Sequence, residues 1–317
     1  MSGPVTREDE APVDAAPASV AAPTVDITPS REAQVGAVRV RRALPRRARR
    51  TVGAWCFLDH MGPVAVAEDE GVNIGPHSHI GLQTVTWLLA GEVLHRDSLG
   101  SEQIVRPGQL NLMTAGAGVA HAEEATGRYR GDLHGVQLWV AQPEATRHGE
   151  PAFEHVAELP HVELDGGDAT VIIGDFDGAS SPARRDTDHV GVELSLRPSR
   201  GGSSVTVPTR PECEYAMVVL EGEVVAAGQV VVPGQLAYLG IGRDELPLST
   251  SSPARALLIG GVPFPETLLM WWNFVARTRD EVDAAIARWQ AADERLAVAG
   301  SRLARIDAPT PPPWASS

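Results

Sequence analysis

Two short segments, His77-Ser78-His79 and His121-Ala122-Glu123, each place metal-binding residue types two positions apart in strand-like sequence. An extended chain alternates its side chains with period two, so residues i and i+2 leave the same face. Two such strands facing one another deliver three imidazoles and one carboxylate to one point. A single histidine on a half-buried strand is ordinarily a hydrogen-bonded structural residue, and each of the ten histidines has that bland reading. Two same-face pairs together are different. The donor set suits Fe, Mn, Ni, Cu or Zn, so ligand type alone does not select the metal. A six-coordinate ion held by four protein ligands would retain about two open positions for water, dioxygen or a bidentate substrate.

The elements that must position these residues read as short strands. From residue 38 onward, alternating runs at 84–89, 93–96, 104–106 and 110–113 are punctuated by Gly, Pro, Asn and Asp, which predicts an all-β barrel. TWLLAGEV at 86–93 returns as MVVLEGEV at 217–224, and RPGQLNL at 106–112 returns as VPGQLAY at 232–238. The two offsets are nearly equal, as duplication of one fold requires. Carried through those offsets, His77, His79, His121 and Glu123 fall on Pro208, Arg210, Pro247 and Ser249. The second barrel is therefore expected to lack metal ligands and to brace the first or present a partner surface.

Gly71 precedes His77 with five residues between them and Gly91 lies beyond it, while Gly108 and Thr114-Ala115-Gly116 precede His121. This framework resembles the two motifs of the cupin superfamily. The wording VGAWCFLDHMGP at 52–63, PHSHIGLQTVTWLLAGEVLHRDSLG at 76–100 and MTAGAGVAHAEE at 113–124 is similar to the pirin family, over residues 38–142. The resemblance implies a bicupin, two tandem double-stranded β-helix (jelly-roll) barrels, with one metal ion per chain in the amino-terminal barrel. It favours iron, with His77, His79, His121 and Glu123 as ligands.

One position departs from that pattern. The acid of the first motif is Gln83 here, and a carboxamide cannot take up a proton at neutral pH. Any general base would then be Glu123, or Glu124 beside it. Gln83 and His134 are the candidate supporting positions next to the ligands. His60 and His95 read as structural, and Trp87, Met113 and Trp139 as core. The resemblance implies two functions. One is a redox-responsive regulator acting through a partner protein, and the other is a quercetin (flavonol) 2,3-dioxygenase that cleaves its substrate with dioxygen and releases carbon monoxide. Gln83 tilts the expectation towards regulation. A sugar-phosphate isomerase has little support, since the chain holds no phosphate-cradling glycine loop and no lysine.

Composition bounds the rest. The 317 residues carry a net charge of −14, which opposes attraction to a nucleic-acid backbone. Seven arginines at 38–50 are read as keeping an edge strand soluble. No run approaches the roughly 20 apolar residues of a membrane span, and residues 1–19 lack the apolar core of a secretion signal, so a cytoplasmic monomer is expected. Cys56 and Cys213 are too few for a disulfide framework. The expected organisation is a disordered tail at 1–34, the metal-binding barrel at 35–145, a connection at 146–164 and the second barrel at 165–277. An amphipathic helix at 278–302, carrying Val282, Ile286, Trp289 and Leu296 behind a Thr278–Glu281 capping box, and a proline-rich tail at 303–317 complete it.

Overall fold

Hydrophobic alternation builds two barrels of one design. The computed structural model describes residues 25–198 and 205–311. In the first barrel a seven-stranded sheet faces a four-stranded one. The large sheet runs, in spatial order, Ala152–Val156, Leu110–Thr114, Leu82–Ala90, Gly131–Ala141, Trp55–Val66, Val38–Leu44 and Arg31–Val35. The small sheet runs Ile74–His79, Val119–Glu124, Val93–Asp97 and Glu102–Val105. The second barrel repeats this, with Glu214–Glu221 in the place of Leu82–Ala90 and Gln235–Gly240 in the place of Leu110–Thr114. The sequence repeat is therefore a repeat of sheet position.

The large sheets pack against each other. Val85, Trp87, Leu110, Leu112, Val136 and Leu138 from the first meet Ala216, Val218, Leu220, Leu236, Leu257 and Ile259 from the second in one buried cluster. Buried acids inside this layer are satisfied, as buried charge must be. Glu193 accepts from Trp87 Nε1 at 3.1 Å and Arg255 Nε at 2.7 Å. Glu214 accepts from the Gly53 backbone at 2.6 Å and from the Tyr238 hydroxyl at 2.8 Å.

Several boundaries differ from the sequence expectation. Residues 1–24 of the expected tail lie outside the described residues, but Asp26–Pro29 is a strand on the second barrel's large sheet, paired with Gln235–Gly240. Arg31–Val35 pairs with Val38–Leu44 and forms the sheet edge, so the arginine-bearing strand is internal. The expected connection likewise supplies Ala152–Val156 to the first barrel and His161–Leu164 to the second. The helix is shorter than expected, Arg279–Gln290, with Thr278 capping Glu281 N and Val282, Ile286 and Trp289 buried; Leu296 lies in a separate 3-10 turn. Of the proline-rich tail, residues 312–317 lie outside the described residues. The preceding part packs on the first barrel: Ile306 N donates to Pro76 O at 2.9 Å, and a Cβ on Gly75 would sit 1.9 Å from the Ala304 carbonyl oxygen.

Burial of neutral histidines in this fold gives a pH-dependent stability. Burial pushes His189 down to about 4 and His60 down to about 3, the charges of Arg41 and His134 adding to the latter. A folded value below the ordinary one means that the unfolded chain takes up protons the native state refuses. Stability is thus full above about 6.5 and falls as pH drops towards those values, by about 1.4 kcal/mol per group per pH unit. Urea unfolding at about pH 7.5 and about pH 5.5 should show stability lost on acidification. In His189→Gln that loss should be smaller by about 1.4 kcal/mol, and an identical loss would remove His189 as a source.

Candidate metal centre

Register brings the two histidine pairs face to face. Val119–Glu124 lies antiparallel to Ile74–His79 with His121 opposite His77 and Val119 opposite His79. The ring nitrogens of His77, His79 and His121 fall within 4.8 Å of one another, and all three rings are buried. The ring centroids form a triangle with sides of 4.9, 4.5 and 4.9 Å. Glu123 lines the same cavity from the same strand, but its carboxylate lies outside that 4.8 Å set. Glu124 leaves the opposite face, where Arg96 Nη1 donates to it at 3.2 Å.

The tautomers of two of the rings follow from their partners. His77 Nδ1 lies 2.9 Å from Gly75 O, and His79 Nδ1 lies 3.1 Å from Asn273 O. A carbonyl only accepts, so both Nδ1 atoms carry the proton and both Nε2 atoms present lone pairs. Burial pushes His77 down to about 4, and burial with mutual repulsion holds His79 and His121 well below 6.5, so the rings are neutral at pH 7. Burial raises Glu123 to about 7 against a weak 3.5 Å bond from Thr86 Oγ1. Neutral imidazoles with inward lone pairs beside a carboxyl group are a donor set that fits a divalent transition ion. His79 Nε2 and His121 Nε2 are 3.1 Å apart.

In front of the histidines lies a cavity of about 390 Å³. Phe57 and Trp139 stack along its wall with centroids 4.0 Å apart, and the Trp139 ring meets His79 edge-on at 5.3 Å. Arg42 lies over Phe57 and is fixed by two hydrogen bonds to Asp59, at 2.7 and 2.6 Å. Trp272 and Ile306, from beyond the second barrel, close the wall. Trp139, expected as plain core, is thus part of the cavity.

Two expected supporting residues are elsewhere. Gln83 is cross-strand partner to Val140 and Thr114 and shares the face of Val85 and Trp87, which points at the second barrel. Its Nε2 donates to Thr114 Oγ1 at 2.9 Å. The inward face of this strand belongs instead to Thr84 and Thr86, opposite Trp139 and Gln137. His134 is also on the seam, 2.9 Å from His60 and 3.2 Å from Glu221 of the second barrel. His95, which reads as structural in the sequence, touches the centre: its Nδ1 is 3.3 Å from His121 Nδ1 and its Nε2 is 3.2 Å from Asp97 Oδ2. The signal was present, since His95 and Asp97 repeat the i, i+2 spacing of His77/His79 and His121/Glu123.

Two fused jelly-roll barrels define the chain as a bicupin. Residues 37–140 match the family model described as Pirin, and residues 192–294 match the Pirin C-terminal cupin domain. The chain belongs to the pirin family. It is 43% identical over 290 residues, 90% of each chain, to a Pseudomonas aeruginosa protein provisionally named a quercetin 2,3-dioxygenase. A Pirin-like protein of Caulobacter vibrioides is 35% identical over 84% of this chain and 93% of its own. The crystal structure of a quercetin 2,3-dioxygenase from Acinetobacter baumannii superposes with a TM-score of 0.86 at 41% identity, covering 91% of this chain and 96% of that one. The bacterial pirin YhhW of Escherichia coli, solved in complex with nickel(II), shares the fold with a TM-score of 0.61 at 18% identity, covering 76% and 100%.

Proposed function

We propose that the first barrel holds one transition-metal ion on His77, His79 and His121, with Glu123 as fourth ligand, and that the protein is a flavonol 2,3-dioxygenase. The observation that carries this reading is the cavity, which couples three convergent imidazoles to an aromatic wall. Its volume of about 390 Å³ lies in the range of small-molecule sites, roughly 300–1,000 Å³. Iron is the ion we expect, and a metal of this kind supplies Lewis-acid and redox chemistry when bound. Phe57 and Trp139 would take the face of a planar ring system, and the walls from Trp272 and Ile306 would keep water from it. Glu123 would accept the proton of the flavonol 3-hydroxyl. The net reaction consumes one dioxygen, breaks two carbon–carbon bonds of the central ring and releases carbon monoxide.

The expectation of a redox-responsive partner-binding role leaned on Gln83 as a missing base. With Gln83 turned to the seam, its carboxamide takes nothing from the cavity, and the argument against catalysis loses its footing. The relatives named as quercetin 2,3-dioxygenases support the catalytic reading. The test is metal analysis of anaerobically purified protein, followed in the same sample by quercetin consumption with carbon monoxide detection. About one iron per chain with quercetin-dependent carbon monoxide is the expected result; bound metal without turnover would return the protein to the regulatory class.

A further inference from the structure

We infer that His95 and Asp97 set the tautomer of His121 and thereby decide whether the three-histidine centre can accept a metal. This rests on the metal-binding reading above and adds two positioning residues to it. His77 and His79 are oriented by backbone carbonyls, whereas His121 is oriented by a second imidazole backed by a carboxylate. The strand Val93–Asp97 aims His95 and Asp97 into the barrel, with Asp97 directly opposite His121 in the pairing and Leu94 and Arg96 on the other face. His95 is clamped by Phe153, stacked on it at 4.4 Å with the rings 16° apart.

The protons along this chain follow by elimination. Asp97 Oδ1 is taken by the backbone N–H groups of Leu99 and Ser101, each at 2.9 Å, and Oδ2 faces His95 Nε2. A carboxylate accepts only, so His95 Nε2 carries a proton, and in the neutral imidazole His95 Nδ1 is then the lone pair. His121 Nδ1, facing that lone pair at 3.3 Å, must then donate, which leaves His121 Nε2 unprotonated. That lone pair lies 3.1 Å from the Nε2 lone pair of His79. Two such lone pairs repel unless a cation lies between or beside them, so the relay holds the centre in the form that a metal relieves.

Asp97→Asn reverses every step with almost no change in shape. The two backbone donors retain the amide oxygen at the Oδ1 position, so the NH₂ group faces His95 Nε2 and makes it an acceptor. His95 Nδ1–H then donates to His121 Nδ1, and His121 Nε2 becomes an N–H that hydrogen-bonds to His79 Nε2. The third ligand is thus converted into a donor inside a closed, satisfied network.

The test is nitrogen-15 correlation NMR of the imidazoles in metal-free protein, with nickel(II) titration by calorimetry in parallel. The expected result is His121 protonated on Nδ1 in the natural protein and on Nε2 in Asp97→Asn. Nickel(II) affinity should fall about 10–100-fold, the scale on which outer partners of metal-binding histidines act. In a His95→Gln background the relay is already cut, so Asp97→Asn should change affinity little further. An unchanged His121 tautomer in Asp97→Asn, or unchanged nickel(II) affinity, would overturn the inference. A tautomer switch in a protein that binds no metal in either form would uphold the relay and sink the metal-binding reading instead.

Discussion

His121→Ala is expected to empty the centre and abolish flavonol turnover while leaving the fold intact. His121 is the imidazole that joins the two strands in the cluster: without it the remaining imidazoles, His77 and His79, come from one strand and have no third ring opposite. The loss of metal affinity should exceed the roughly 10–100-fold that removal of an outer partner costs. The fold should tolerate the change, because the pairing of Val119–Glu124 with its neighbours is made by backbone groups that alanine keeps. The measurements are metal content after dialysis against a chelator, quercetin-dependent carbon monoxide, and thermal unfolding monitored by circular dichroism. Stoichiometric metal retained by the variant would sink the three-histidine assignment.

The strand alternation that made this centre legible also explains where reading from sequence failed. Over two residues parity is reliable, and the pairs His77/His79 and His121/Glu123 both face the cavity even though the register shifts between His121 and Glu123. Between strands it is not. Counting from His79 to Gln83 crosses Gly81, whose φ of +66° lies in the left-handed region and turns the chain between the two strands. The phase of Leu82–Ala90 is set afresh by packing, with Val85 and Trp87 against the second barrel and Thr84 and Thr86 inward. A motif aligned by residue count therefore placed beside the candidate ligands a carboxamide that the sheet places at the seam.

The barrel repeat was readable because duplicated turns keep their glycine and proline chemistry. The strands that cross from flanking segments were not. Asp26–Pro29 has one central apolar residue, Ile27, and owes its extended form to pairing with Gln235–Gly240, some two hundred residues away. Such a strand has no local signal. It ties the amino-terminal segment to the second barrel just as Ile306 and Trp272 tie the carboxyl-terminal segment to the first barrel's cavity. The site is consequently assembled from residues far outside its own barrel, which spacing within that barrel could not disclose.

Glu123→Gln separates the two roles given to that residue. The amide keeps the size of the side chain and one oxygen able to accept or ligate, but it cannot take a proton. If Glu123 accepts the flavonol proton, turnover should fall about 10²–10⁴-fold, the contribution of a positioned acid–base group. Metal content should fall much less, because the three imidazoles remain and the carboxylate lies outside their 4.8 Å cluster. The surroundings make the comparison clean: Thr86 Oγ1 is the hydrogen-bond partner of Glu123 at 3.5 Å and also donates to Gln137 at 2.9 Å, so the amide disturbs no strong bond. The measurement is turnover per bound metal ion, which removes occupancy from the comparison. A value per metal equal to that of the natural protein would leave Glu123 as a ligand alone and move the proton to another acceptor. The candidate would then have to come from the cavity itself, where Asp59 is the other carboxylate and is held by Arg42.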